Sequence, residues 1–261
     1  MRSISIIGGT GMKKLFTHPH YLEFGFSEVL SQNIRVQTTY GNVPATIQIL
    51  EKEGEQFQLQ FIHRHHGLGT TPPHSLNHQA NVTAANEGSP KMVLSIHSVG
   101  TLVRSFPPGT LGVASDYIDL SGRVSTFHND DAVHTDLTDH FRPEFREELR
   151  PLLSEQQQET DVILEYEHVH AQMYGPQFET HGEIRALGIL GATVVGMTMV
   201  PEAKLIAELG LPQLALLVSS NWAAGCDPRG KDVPVDHHLV EDQAKKLHSL
   251  IWRAILTMLK D

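Results

Sequence analysis

The chain has 261 residues, 40% of them apolar, which is enough to bury one substantial core and falls within the size range of a single α/β domain. Its formal charge of −10, without any long basic block, disfavours a nucleic-acid surface. The single cysteine, Cys226, excludes an intrachain disulfide and a cysteine-based zinc site. No apolar run approaches the roughly 18 residues of a membrane span, so we expect a cytoplasmic protein without a membrane partner.

The first third of the chain predicts strands joined by tight turns. An apolar run at residues 3–7 predicts a buried strand that ends in the glycine turn of residues 8–11. Residues 45–50 and 56–62 predict a hairpin, because a charged, glycine-containing turn separates two extended runs. A helix is predicted next, over residues 77–87, and then a buried strand at residues 92–96.

The remaining two thirds alternate strands with helices. Strands are predicted at residues 111–113, 162–173, 193–195 and 214–219, and helices at residues 143–158, 179–190, 201–209 and 236–259. The last helix has one apolar face, with Asp236 as a credible N-cap. Because the hairpin must be antiparallel and the later crossovers parallel, we expect a single α/β domain over residues 1–261 with a mixed sheet.

Residues 63–81 place a fixed cation beside several histidines ahead of the first predicted helix. The guanidinium fork of Arg64 matches an anionic oxygen pair, and histidine adds donors, so this stretch and the glycine turn together predict a phosphate site. Imidazole also suits zinc or copper, which leaves a metal site as an alternative. The histidines concerned are His63, His65, His66, His74 and His78.

Six short blocks make the sequence resemble the trimeric purine nucleoside phosphorylase and methylthioadenosine phosphorylase family, and most of all its bacterial methylthioinosine and methylthioadenosine branch. They are Gly8-Gly9-Thr10-Gly11, Arg64-His65, Pro72-Pro73-His74, Val99-Gly100-Thr101-Leu102, Gly175-Pro176-Gln177-Phe178-Glu179-Thr180 and Gly196-Met197-Thr198-Met199-Val200-Pro201-Glu202-Ala203. The resemblance runs from residue 6 to about residue 225. It implies a nucleoside phosphorylase-like fold, with a twisted, partly barrel-like sheet flanked by helices.

The resemblance implies phosphorolysis, in which inorganic phosphate displaces a purine from C1′ of a ribosyl or 5-methylthioribosyl group. Such an enzyme is a pentosyltransferase of purine salvage, needs no metal or organic cofactor, and works as a homotrimer. The sugar passes through an oxocarbenium-like state, so a positioned phosphate dianion can both stabilise that cation and attack it.

The family's functional residues carry over to matching positions of this chain. The phosphate residues match Thr10, Arg64, His65 and Thr198, with His97 and Ser98 beside them. Met197 would lie against the ribose, Phe178 against the base, and Asn221 would polarise or protonate purine N7. We therefore expect Asn221, Arg64 and His65 to be catalytic. Further substrate contacts are expected from Glu179, Ala223, Val235, His238 and, out of the neighbouring subunit, His134.

Glu179 and Asn221 favour hypoxanthine or guanine over adenine. A 6-oxopurine carries a proton on N1 that an ionised Glu179 can accept, whereas adenine N1 is a bare acceptor. Alternatively, Glu179 merely caps the helix that it begins. The 5′ end of the sugar stays open, because both apolar residues (Val233, Val235) and histidines (His237, His238) occur there. A 5′-methylthio-purine nucleoside is expected, with inosine or guanosine as the alternative.

Several residues of the predicted site depart from the family pattern. His66 stands where a glycine is usual, Gly69 replaces a histidine, and His97-Ser98 replaces Asn or Thr followed by Ala. These changes leave a further alternative, a purine-binding homologue with reduced or lost turnover.

Overall fold

Nine strands form one mixed sheet in the computed structural model, which describes residues 1–9, 12, 15, 20–66, 71–234 and 247–259. The strands are β1 (Arg2–Gly8), β2 (Ser27–Thr38), β3 (Gly41–Lys52), β4 (Glu55–His63), β5 (Met92–Thr101), β6 (Leu111–Asp119), β7 (Glu167–Gln172), β8 (Val194–Gly196) and β9 (Gln213–Trp222).

Helices cover both faces of this sheet. The α-helices in the described ranges are α1 (His78–Asn86), α2 (Pro143–Ser154), α3 (His181–Ile189), α4 (Met199–Glu208) and α5 (His248–Met258), with 3₁₀ turns at His20–Phe24, Pro73–Ser75 and Glu155–Glu159. Apolar side chains of α2 and α5 pack on one face and those of α1 and α4 on the other. Within the described part of the chain, no helix combines the length and apolar character that a bilayer crossing needs.

Part of the sheet closes on itself. The strand order is β2-β3-β4-β1-β5-β8-β7-β6-β9, and β5 also pairs with β9, so strands β5 to β9 form a ring from which the other four extend. β1 pairs in parallel with β4 and β5, whereas β3 pairs antiparallel with β2 and β4. The expectation of a mixed, partly barrel-like α/β sheet is confirmed.

Two predicted boundaries need correction, and one strand is absent from the prediction. The strand predicted over residues 162–173 begins only at Glu167, because the Gln157 side chain bonds the backbone of Val162 and Leu164 and holds that stretch as a loop. The helix predicted from residue 179 begins at His181. β2 was not predicted, since most of its side chains are exposed and the sequence lacks a regular apolar alternation.

Two other predicted helices are present, α4 with an earlier start and α5 over part of its predicted range. α4 begins at Met199, so Pro201 lies in its first turn, where a missing backbone N–H costs no intrahelical hydrogen bond. α5 falls inside the predicted range 236–259, whereas its proposed N-cap, Asp236, lies outside the described residues.

A buried ion pair joins the sheet to α4. Arg64, just after β4, donates from Nε to Glu202 Oε1 at 2.6 Å and from Nη2 to Oε2 at 2.8 Å. Burial opposes ionisation of Glu202, but the Arg64 guanidinium outweighs it and holds the pKa of that carboxyl well below its usual range. Arg64 also donates to the carbonyl oxygens of Ile96 and Ile7, at 2.8 and 3.2 Å. One side chain thereby ties β1, β5 and α4 together.

We expect Glu202→Gln to lower the free energy of unfolding by about 3–5 kcal/mol, because it leaves the Arg64 cation buried without its anion. Urea denaturation at one fixed protein concentration measures this. The matched control is Glu147→Gln, whose pair with Arg150 is exposed and screened by water, and which should leave the free energy nearly unchanged. Equal effects of the two substitutions would contradict the prediction.

Candidate active site

A cavity of about 390 Å³ opens where several strands of the sheet end. β5, β8 and β9, with the segments that follow β4, β7 and β8, supply its walls. The lining residues are Arg64, His65, Pro73, Ser98, Val99, Gly100, Pro176, Phe178, Glu179, Val195, Gly196, Met197, Thr198, Ser220 and Asn221. Most of the predicted site residues therefore share one cavity.

Nitrogen atoms of Arg64 and His65 converge beside Gly9. A Cβ atom at Gly9 would stand 2.7 Å from Arg64 Nη1 and 3.0 Å from His65 Nε2, so glycine is required for this close approach. His65 Nδ1 donates to Thr71 O at 2.7 Å, which leaves Nε2 facing the ligand space as an acceptor in the neutral ring. Burial lowers the pKa of His65 and favours that neutral form.

The N-terminus of α4 lies at the same end of the cavity. Thr198 occupies the N-cap position, but its hydroxyl makes no capping bond and instead lies 3.0 Å from His97 Nδ1. The N-terminal end of a helix carries partial positive charge and favours an anion. In α4, Val200 N–H already donates to Gln172 Oε1 at 3.2 Å and Pro201 has no N–H, so this end acts through its partial charge and Met199 N–H. With Arg64 Nη1, the Thr198 hydroxyl and this helix end can hold a tetrahedral oxyanion, and neutral His65 Nε2 can accept from a protonated oxygen of that anion.

A β-bulge in β9 shapes the opposite wall. Val99 pairs with Ser219 and Gly100 pairs with Asn221, so Ser220 is an extra residue in the ladder. Neighbouring side chains of a regular strand point to opposite faces, and the bulge explains how Ser220 and Asn221 both reach the cavity.

Hydrogen bonds fix the orientation of the Asn221 amide. Asn221 Nδ2 donates to Trp222 O at 3.0 Å, and Ser220 Oγ lies 3.0 Å from Asn221 Oδ1. Among the bonds of the described residues, this leaves the second Nδ2 hydrogen for a ligand. Gly100 admits the amide, since a Cβ there would lie 3.2 Å from Nδ2.

Phe178 and Glu179 lie on the segment between β7 and α3. Phe178 is 46% exposed, so its ring is available for stacking, and burial raises the pKa of the Glu179 carboxyl. The capping role considered for Glu179 is wrong, because Thr180 and Glu183 form the capping box of α3. Glu179 is thus left for the cavity that it lines.

Three other expected site residues are described but do not line this cavity: His97, Ala223 and His134. His97 is buried one hydrogen bond away from the cavity wall, and Ala223 is buried against Gly100. His134 is exposed on the segment between β6 and α2. Thr10, Gly69, Val235, His237 and His238 lie outside the described residues.

The histidines of residues 63–78 make separate contacts. His63 bonds Thr46, His65 bonds Thr71, His66 bonds Asn81, and His78 Nδ1 lies 3.4 Å from Glu202. In the described ranges, no group of three histidine, cysteine or acidic side chains is arranged to hold a metal ion. His66 has a φ of 49°, a left-handed conformation that explains why a glycine is usual there.

Two contributors to the site were missed from the sequence. Glu202 falls within a family block, and an acid in the first turn of a helix is common. Nothing in the neighbouring sequence indicates that it pairs with Arg64, which is 138 residues away. Ser220 could not be found at all, because its placement depends on the register between β9 and β5.

Comparisons with known proteins agree with this geometry. The family model described as "Phosphorylase superfamily" matches residues 35–259. A "Probable 6-oxopurine nucleoside phosphorylase" of Thermococcus kodakarensis is 33% identical, covering 98% of this chain and 92% of its own. A "Probable S-methyl-5'-thioinosine phosphorylase" of Methanopyrus kandleri has the same identity and the same coverage.

A solved structure has the same fold. It is a methylthioadenosine phosphorylase sourced from an antarctic soil metagenomic library, with a TM-score of 0.81, 24% identity, and coverage of 98% of this chain and 86% of that one. The matched family model and relatives span nearly the whole chain. The chain therefore belongs to the phosphorylase superfamily, and within it to the purine nucleoside and methylthioadenosine phosphorylases.

Proposed function

We propose that this protein is a phosphorylase of 6-oxopurine nucleosides that prefers 5′-methylthioinosine. The observation that carries the proposal is a single cavity with an anion end at Arg64, His65 and Thr198 and a purine-recognising edge at Glu179 and Asn221. The products are hypoxanthine and 5-methylthioribose 1-phosphate. The alternatives are a phosphorylase of methylthioadenosine or of inosine and guanosine.

Phosphate binds at the anion end and acts as the nucleophile. Its oxygen forms a bond to C1′ while the C1′–N9 bond breaks, and the electron pair of that bond passes to the purine. Asn221 donates its second Nδ2 hydrogen to N7, where negative charge develops. One such donor, aimed where the charge appears, contributes on the order of 3 kcal/mol to transition-state stabilisation.

The base edge selects for a 6-oxopurine. N1–H of hypoxanthine donates to Glu179, and the amide of Asn221 serves N7 or O6. With adenine, N1 would face the carboxylate as a second acceptor, and both groups would stay unsatisfied in a half-buried site. Phe178 packs on the base and Met197 on the ribose, both from the cavity wall.

The remaining parts of the proposal rest on resemblance to relatives. The protein acts in the cytoplasm, in purine salvage, as a homotrimer that uses phosphate as co-substrate and no cofactor. His134 would then serve the neighbouring subunit's site, which accords with its exposure in a single chain. The preference for a 5′-methylthio group draws support from relatives named for methylthioinosine.

A substrate panel tests the proposed function. Methylthioinosine, methylthioadenosine, inosine and guanosine are each incubated with the protein, with and without phosphate, and base release is followed by chromatography. We expect release only with phosphate, and the highest kcat/KM for methylthioinosine. Release mainly from methylthioadenosine would overturn the roles of Glu179 and Asn221. Hypoxanthine binding without release from any nucleoside would instead identify a binding homologue.

Glu179→Gln should lower kcat/KM for methylthioinosine about 30-fold, because a hydrogen bond to a charged acceptor contributes about 2 kcal/mol. Methylthioadenosine should lose less, since it offers Glu179 no N1 proton. Glu144→Gln, on the exposed surface of α2, is the matched control and should change neither value. An equal loss for both nucleosides would contradict base-edge recognition.

Glu179 also predicts how kcat/KM for methylthioinosine depends on pH. Burial raises the pKa of Glu179, and only the ionised carboxylate accepts from N1–H. We expect kcat/KM for methylthioinosine to fall with decreasing pH through a pKa above the ordinary value of about 4.3, while thermal melting shows the protein folded. Glu179→Gln should remove this acid limb. If the acid limb remained in Glu179→Gln, the group that titrates would be a residue other than Glu179.

A further inference from the structure

His97 lies between the buried ion pair and the cavity wall. It belongs to β5, is 1% exposed, and places its two ring nitrogens on different partners. Nδ1 lies 3.0 Å from the Thr198 hydroxyl oxygen, which lines the cavity. Nε2 lies 3.5 Å from Arg64 Nη2 and 3.7 Å from Glu202 Oε2.

These distances determine which ring nitrogen carries the proton. Arg64 is a pure donor, so His97 Nε2 can bond it only as an acceptor. Nη2 has two hydrogens for Glu202 Oε2, Ile7 O and His97 Nε2, so the 3.5 Å contact with His97 is one branch of a shared, three-centre bond. The Glu202 oxygens already accept from Arg64 at 2.6 and 2.8 Å, and a separation of 3.7 Å is too long for a hydrogen bond from Nε2. Burial and the Arg64 charge lower the pKa of His97 well below its ordinary value, so the ring is neutral. With Nε2 facing the Arg64 guanidinium as an acceptor, we assign the single ring proton to Nδ1.

This tautomer of His97 determines how the Thr198 hydroxyl is hydrogen-bonded. With its proton on Nδ1, His97 donates to Thr198 Oγ1, and the threonine's own hydrogen is left to turn toward the cavity. The bonds then run in one direction, from Arg64 through His97 to Thr198. Successive bonds in such a chain polarise one another and strengthen the terminal donor.

We propose that His97 is a positioning residue for the nucleophile, which makes the Thr198 hydroxyl a donor to phosphate. This rests on the proposed function and deepens it, since His97 acts on phosphate through Thr198 and not by direct contact. The opposite tautomer would turn an N–H of His97 against Arg64 and make Thr198 spend its hydrogen on the ring. The anion would then meet an acceptor where it needs a donor.

Substitutions at position 97 separate the two ring nitrogens. His97→Leu removes both, His97→Asn keeps a donor at the Nδ1 position, and His97→Gln keeps polar atoms only near Nε2. We expect KM for phosphate to rise about tenfold in His97→Leu and His97→Gln and to stay within about threefold of wild type in His97→Asn. KM for the nucleoside, and kcat at saturating phosphate, should change little in all three.

A double-substitution cycle shows whether the effect passes through the hydroxyl. Thr198→Val should raise KM for phosphate by a similar factor, and adding His97→Leu to it should cause no further rise. Additive losses, or an unchanged KM in His97→Leu, would overturn the proposal. If His97→Leu fails to fold, the comparison of KM for phosphate between His97→Asn and His97→Gln tests the proposal. Equal KM values in those two variants would also overturn it.

Failure of the inference on His97 can be distinguished from failure of the proposed function. If wild-type protein releases no base from any nucleoside, the proposed function fails. Calorimetric titration of the same variants with inorganic phosphate then still tests the inference, because the predicted order of Kd values is the same as that of KM. Equal phosphate affinity in wild type and His97→Leu would refute it.

Discussion

The buried pair between Arg64 and Glu202 is the interaction on which the site depends. Two charges removed from water are stable only if their remaining hydrogen-bonding capacity is satisfied. Arg64 meets this condition with both carboxylate oxygens and with the carbonyl groups of Ile7 and Ile96. Because those groups belong to β1, β5 and α4, satisfying the guanidinium also fixes the walls of the anion end relative to one another.

Neutralisation by Glu202 changes how an anion is recognised. A guanidinium already paired with a carboxylate offers little net charge, so attraction must come from donors with a fixed direction. In the proposed site, those donors are Arg64 Nη1 beside Gly9, the N-terminal end of α4, and the Thr198 hydroxyl. Donors held in place before binding need little reorganisation when charge moves during the reaction. In the proposed site, the ion pair therefore acts through the position of these donors more than through net charge.

Local patterns in the sequence predicted the buried strands and most helices, because apolar runs and turn residues act over a few positions. They did not predict β2, whose exposed residues show no regular alternation. They also placed the start of β7 too early, in a stretch that the Gln157 side chain holds as a loop. The cavity's residue types were predictable through family blocks. The ion pair and the bulge at Ser220 were not, since each depends on contacts between segments more than 100 residues apart.

The departures from the family pattern concentrate around Arg64, and they support it. His66, in its left-handed conformation, bonds Asn81 Oδ1 at 2.7 Å through Nε2, and Asn81 Nδ2 in turn donates to Arg64 O at 3.0 Å. His97 places Nε2 3.5 Å from Arg64 Nη2 and Nδ1 3.0 Å from Thr198 Oγ1. Histidines at two of the departing positions therefore brace the backbone and side chain of Arg64, which keeps the arginine of the proposed phosphate site in place.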